Sequence, residues 1–452
     1  MSSAKSPLTN HRPSINAGLW PALPGYALLF LMAVFPLVPG LLKAKVLLLA
    51  VTLVSVGILT ILTGRTGLHL ATATWTYSMA AIGFLFVLEG FFAGMTAAVQ
   101  EVQVYVIWPV MYCLLIAGVR TERVLFGLTD TIISAASFVG VYSIVYSLAV
   151  VHIIPDVRFL NFLVVDSPER QFLASADGFI RMAYPGLNSL LFLVPFSLAA
   201  MVTSSPIAAN GSLLRRLSMW VAVLLGPAAV LLSGRRALYV VTVAAPFLTL
   251  LFASFQPQTE RNTSRKTLIR MTVVLALAAA LSIISATSLL GLKVTAVAKG
   301  FVTAFTFTPT TPDKGALFRR EQFHALLAGW MDNSLVGTGY GTTATGSIRS
   351  QMDPSRYELT YMALLYQTGL LGFAAYSAGI VWIYRMGLRV IRDGGPLSAL
   401  MVSSLVGLTS IMFANATNPY FESFERMWPI FVPIALINYW LLRPAQRSMP
   451  VA

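Results

Sequence analysis

Two adjacent arginines, within Ser233-Gly234-Arg235-Arg236-Ala237, separate two long apolar runs with almost no loop between them. Guanidinium groups favour planar, bidentate pairing with phosphate or carboxylate. Held at the edge of an apolar run, such a pair either grips a phosphate or snorkels to ordinary lipid headgroups. Further along, Arg319 and Arg320 precede His324, and Arg320 and His324 stand four apart, as neighbours on a helix do. Glu358 opens another apolar run, and an ionisable residue at membrane depth is a candidate for function. Glu422, Glu425 and Arg426 crowd a short connection beside Trp428, where they line a pocket or pair with one another. Gly337-Thr338-Gly339-Tyr340-Gly341 allows close backbone approach. It is neither a dinucleotide fingerprint nor a Walker loop, because no strand precedes it and no Gly-Lys-Ser/Thr follows. Its simplest reading is a tight turn. The four histidines, His11, His69, His152 and His324, have no second ligand at standard spacing, so no metal site is expected. Cys113 reads as a small packing residue.

The elements that must hold these groups follow from composition. Of the 452 residues, 57% are apolar and 11% charged, with mean hydropathy +0.76. A soluble globule lacks cover at that ratio, and neither disorder nor a disulfide scaffold fits. An apolar run of about 20 residues crosses a bilayer as a helix. Such runs occupy 20–39, 44–63, 70–88, 102–119, 126–150, 186–204, 217–232, 237–255, 270–291, 358–384, 396–414 and 427–442. None alternates as a barrel strand does. The expected fold is therefore an all-α integral membrane protein with about twelve transmembrane helices. Its segments are a tail over 1–19, spans 1–5 over 20–150, a loop over 151–185, spans 6–9 over 186–291, a large loop over 292–357, spans 10–12 over 358–442, and a tail over 443–452.

Twelve spans put both termini on one side. If that side is the cytoplasm, the inner connections hold sixteen of the 31 Lys and Arg residues against three acids, Glu122, Glu260 and Asp393. The positive-inside rule then fixes the orientation, and the net charge of +14 calls for no nucleic-acid partner. Asp130 falls inside the fifth span near its inner end and reads as structural or end-capping. Within the large outer loop, 316–333 reads as an amphipathic helix at the membrane interface, with Phe323, Leu327 and Trp330 on its apolar face.

In order and spacing these motifs resemble the bacterial O-antigen polymerase and O-antigen ligase superfamily. The family's Ser-Arg-Gly-like motif is matched by Ser233 to Ala237, with Arg236 as the family arginine and Arg235 as the alternative register. Arg319, Phe323 and Gly337-Thr338-Gly339 fit its arginine, its aromatic four residues on, and its Gly-x-Gly eighteen residues after the arginine. Gly369-Leu370-Leu371-Gly372 matches a later Gly-Leu-Leu-Gly. Ligases carry His-Asn before that span, followed two residues on by an aromatic; this chain reads Glu358-Leu359-Thr360-Tyr361, which looks more like the polymerase branch. The resemblance covers 186–385 by motif and the whole chain by topology.

It implies a GT-C-like fold in the bacterial inner membrane, with a periplasmic site and cytoplasmic termini. The donor and acceptor would be undecaprenyl-diphosphate-linked glycans, in contact with membrane lipid. A chain-length regulator and a flippase would be partners, and no cofactor would be needed. Glu358, Arg236 and Arg319 would be catalytic. Arg235, Arg320, His324, Gly337, Gly339 and Tyr361 would bind diphosphate and sugar. Two other readings stand beside polymerisation: a ligase transferring glycan to lipid A–core or protein, and a transporter or flippase of lipid-linked sugars.

Overall fold

The computed structural model describes residues 22–150, 153–155, 173–174, 180–181, 184–203, 213–269, 272–273, 276, 314–345 and 356–447. The predicted N-terminal tail, most of the 151–185 loop, the ninth span at 270–291 and parts of the large loop lie outside them. Twelve helices can be followed. They are α1 (Leu23–Val34), α2 (Leu42–Thr63), α3 (Leu70–Phe92), α4 (Ala98–Ile116), α5 (Glu122–Val150) and α6 (Leu190–Thr203). Then come α7 (Leu213–Ser233), α8 (Arg236–Ala253), α9 (Lys314–Asp332), α10 (Thr360–Asp393), α11 (Gly395–Asn415) and α12 (Trp428–Arg447). A further helical stretch covers 258–269. The only strands among the described residues form a two-residue antiparallel pair, Leu173 opposite Arg181 and Ala174 opposite Ile180.

Among the described residues nine helical stretches are long and apolar enough to cross a membrane, and α1 and the Trp428–Arg443 part of α12 are shorter apolar helices. The protein is thus an all-helical, multi-pass membrane protein. Eleven of the predicted spans coincide with helices. α1 is only 12 residues long because Pro36 follows it and Leu37 turns into the left-handed region at φ 58°. The centre of the bundle is α6 against α11, both buried almost all round, as expected of helices without a polar face. α7 lies along α5, and α2 is largely exposed on the outside.

Contacts between connections fall into two groups at opposite ends. At one end Arg120 donates to Thr60 and Thr63 of α2 at 2.7 and 2.6 Å. There too Glu122 pairs with Arg443, Asn438 bonds the 67–69 backbone, and Glu260 accepts from Gly395 N–H at 2.7 Å. Asp130 meets Arg215 at 2.7 Å near the same end. This basic end also carries Arg65, Arg123, Arg261 and Arg265. The other end gathers the connections at 35–41, 93–97, 234–235, 333–345 and 416–427, together with α9.

One feature organises that second end. α10 breaks at Gly369, whose φ of 59° and ψ of −169° belong to glycine alone. A broken helix leaves backbone groups without partners, which hydrocarbon does not tolerate. Residues 334–339 supply them. Leu370 and Leu371 N–H donate to Ser334 and Leu335 C=O at 2.9 and 3.0 Å. Thr338 and Gly339 N–H donate to Tyr366 and Gln367 C=O at 3.2 and 2.9 Å. A Cβ on Gly337 would sit 2.5 Å from Gly369 N, and one on Gly339 would sit 2.3 Å from Gly90 N. The Gly-x-Gly is therefore a backbone plug in a broken helix. Gly369→Ala and Gly337→Ala should each lower stability by about 1–3 kcal/mol from backbone strain, with steric overlap adding to it. Thermal unfolding in detergent reads this directly; an unchanged midpoint in both variants would refute the plug.

Candidate functional site

The turn between α7 and α8 decides which arginine faces inward. Ser233 Oγ donates to Val230 C=O at 2.6 Å and accepts the Arg235 N–H at 3.1 Å. Gly234 takes φ 62°, and Arg235 is extended before α8 begins at Arg236. Arg235 is turned into the protein, where it donates to Asn188 Oδ1 and the Tyr420 hydroxyl, with Tyr184 close by. Arg236, one residue on, lies exposed on the first turn of α8.

Tyr420 belongs to the connection between α11 and α12, folded into two 3₁₀ turns, Tyr420–Glu422 and Phe424–Arg426. Asn415 Oδ1 accepts Phe421 N–H at 3.2 Å, Trp108 stacks on Phe424 with centroids 4.5 Å apart, and Tyr112 donates to Phe424 C=O at 3.0 Å. The buried Tyr420 feels Arg235, Arg426 and Arg319 electrostatically; burial raises its pKa and the three cations pull it back. Burial lowers the pKa of Arg235. Arg426 is pushed down to about 10, first by burial and then by the like charges of Arg235 and Arg356, with Tyr420 and Glu425 acting the other way.

α9 and the head of α10 supply the third side. Arg319 Nε meets Glu358 Oε2 at 2.7 Å. Gln322 Oε1 accepts the Glu358 and Leu359 N–H groups at 2.9 and 3.0 Å, capping the start of α10 where no local side chain does. Arg356 reaches Glu422 at 3.7 Å, tying this head to the 416–427 connection.

Of the predicted site residues, the structure gathers Arg235, Arg319 and Glu358 in one region. Arg320 and His324 are exposed on α9. Tyr361 donates to Met412 C=O of α11 at 2.6 Å, and Gly337 and Gly339 pack against backbone. The face of α9 that packs on the protein is a different one from the predicted apolar face. Gln322 and Leu326 are its fully buried residues, Gly329 lies against Tyr366, and Phe323 is exposed. The packed side faces α10 and includes the capping Gln322, while Phe323 lies one residue on, outside it. Sequence reasoning did not single out Tyr420, Tyr184 or Asn188. It met Arg426 only as part of a charge-dense connection between two apolar spans.

The charges do not balance locally. Arg319 pairs with Glu358, Arg356 with Glu422 and Lys45 with Glu425. Among the described residues no carboxylate lies within ion-pair distance of Arg235 or Arg426, and Arg426 Nε is buried without a hydrogen-bond partner. Two guanidiniums around one phenol present the kind of donors that pair with an oxygen-rich anion. No group of three potential metal ligands occurs among the described residues. Compared with known proteins, the chain matches no family model and no curated sequence.

Arg235→Met and Arg426→Met should each weaken binding of inorganic pyrophosphate to the purified protein by about tenfold or more, whereas the exposed Arg236→Met should leave it within about twofold. Calorimetric titration in detergent measures this. Equal losses in all three variants would mean general surface charge rather than a built site.

Proposed function

We propose that this protein is a glycosyltransferase that polymerises undecaprenyl-diphosphate-linked oligosaccharide repeat units into a bacterial surface polysaccharide. The reaction would occur at the periplasmic face of the inner membrane, with both termini cytoplasmic. The observation that carries the reading is the pair of unmatched guanidiniums, Arg235 and Arg426, at the same end of the bundle as the Arg319–Glu358 pair. The motif resemblance and the positive-inside charge distribution support it.

In this reading the acceptor sugar hydroxyl attacks the anomeric carbon of the donor. The bond from that carbon to the diphosphate oxygen breaks, and its electron pair leaves on the diphosphate. The hydroxyl proton passes to the Glu358 carboxylate, which Arg319 orients. Negative charge gathers on the departing diphosphate, where preorganised cations in a water-poor site act most strongly. Attack opposite the leaving group inverts the anomeric centre. Arg235 and Arg426 need no metal to play this part.

A ligase would share the donor half of this scheme and differ in its acceptor; Glu358 in place of a histidine favours the polymerase. The transporter reading gains one observation, the discontinuous helix α10. Residues 334–339 take four of its freed backbone groups, however, which leaves fewer of them for an ion or substrate.

The test is the electrophoretic ladder of surface polysaccharide in a deletion strain complemented with variants. Arg235→Met and Glu358→Gln should leave only single-unit products at wild-type membrane levels of protein, while Arg236→Met should keep the ladder. Products absent from the lipid acceptor altogether would indicate a ligase. A full ladder from Glu358→Gln would remove that residue from the chemistry.

A further inference from the structure

Beneath the arginine cluster lies a buried ion pair that the reaction scheme does not use. Lys45, on the first turn of α2, meets Glu425 of the 416–427 connection, with side chains only 5% and 3% exposed. Glu425 Oε2 also accepts the Leu37 N–H at 2.7 Å, and Lys45 Nζ donates to Phe35 C=O at 2.7 Å. Leu37 is the one non-glycine residue with positive φ among the described residues. The corner between α1 and α2 is thus shaped to aim a backbone donor and an ammonium at one carboxylate. That carboxylate belongs to the residue next to Arg426, and Arg426 is one of the two unmatched cations.

A buried ion pair is weak evidence for stability, since its desolvation offsets its attraction. Its geometry here has another consequence. A carboxylate beside a guanidinium in a low-dielectric setting neutralises it unless something else holds the carboxylate. Resting on the anion-site reading above, we propose that Lys45 sequesters the Glu425 carboxylate and so keeps Arg426 available to an anionic ligand, the diphosphate of the lipid-linked donor. Lys45 is a positioning residue that sets diphosphate affinity without touching the ligand.

Sequestration differs from a simple structural latch in its double variant. In Lys45→Met the freed carboxylate turns on Arg426, and pyrophosphate binding should weaken by roughly tenfold. Removing the carboxylate as well, in Lys45→Met/Glu425→Gln, should restore affinity to within about threefold of wild type, because a neutral amide cannot neutralise Arg426. Glu425→Gln alone should bind at least as tightly as wild type. A latch predicts the opposite order, with the double variant no better than Lys45→Met. The measurement is pyrophosphate titration of purified full-length protein in detergent, with gel filtration and thermal unfolding to establish folding. If Lys45→Met does not fold, Glu425→Gln decides: weaker binding than wild type overturns the proposal. Wild-type protein that fails to bind pyrophosphate, or binds it without needing Arg426, refutes the anion site itself. Binding that needs Arg426 but is indifferent to Lys45→Met overturns the sequestration alone.

Discussion

Every backbone amide in a membrane-embedded helix must have a partner, and the break in α10 makes that rule visible. At Gly369 the helix gives up internal bonds, and residues 334–339 replace them. This exchange ties the C-terminal end of α9 to the middle of α10. Gln322, in the middle of α9, caps the head of α10. With α9 and the residues after it tied to α10 at these two places, Arg319 is delivered to Glu358. Glycine at 337 and 369 is thus needed for approach and for backbone shape, and its effect on the site is indirect.

The second organising element is the 416–427 connection. It is held by stacking on Trp108, by hydrogen bonds from Tyr112 and to Asn415, and by the Lys45–Glu425 pair. The stacking and hydrogen bonds come from α4, distant in sequence, and from α11, which leads directly into the connection. The paired charges at this end each fix one junction: α9 to α10, α10 to the connection, and the connection to α2. Arg235 is held by Asn188 and Tyr420, neither of which brings a carboxylate to it.

Much of the fold was legible in the sequence because a spanning run is a local property. About twenty apolar residues read as a helix whatever surrounds them. α1 falls short where Pro36 follows it, a local cause too, though the left-handed Leu37 beyond it answers to a distant carboxylate. The site was less legible because it depends on facing. Arg235 and Arg236 are adjacent and chemically identical; a serine hydroxyl and a left-handed glycine decide which one turns inward. The side of α9 that packs on α10 was not legible, because Gln322 is buried for its amide oxygen, which an apolar period cannot register. Arg426 stood in a crowd of charges whose pairing only the folded chain resolves.

An ion pair and a lone cation answer different needs, and their mixture here bears on function. Burial opposes the charge of both guanidiniums, and the charge of Arg235 adds repulsion at Arg426, as the lowered pKa values record. A protein needing only stability would meet this with a carboxylate, and three carboxylates stand nearby, at 358, 422 and 425. Each is engaged by another cation instead: Arg319, Arg356 and Lys45. A ligand bearing two negative charges relieves the repulsion when it binds, and departure of that charged group restores it. In the transferase reaction proposed above, the same imbalance favours the charge that develops as the bond to the diphosphate breaks.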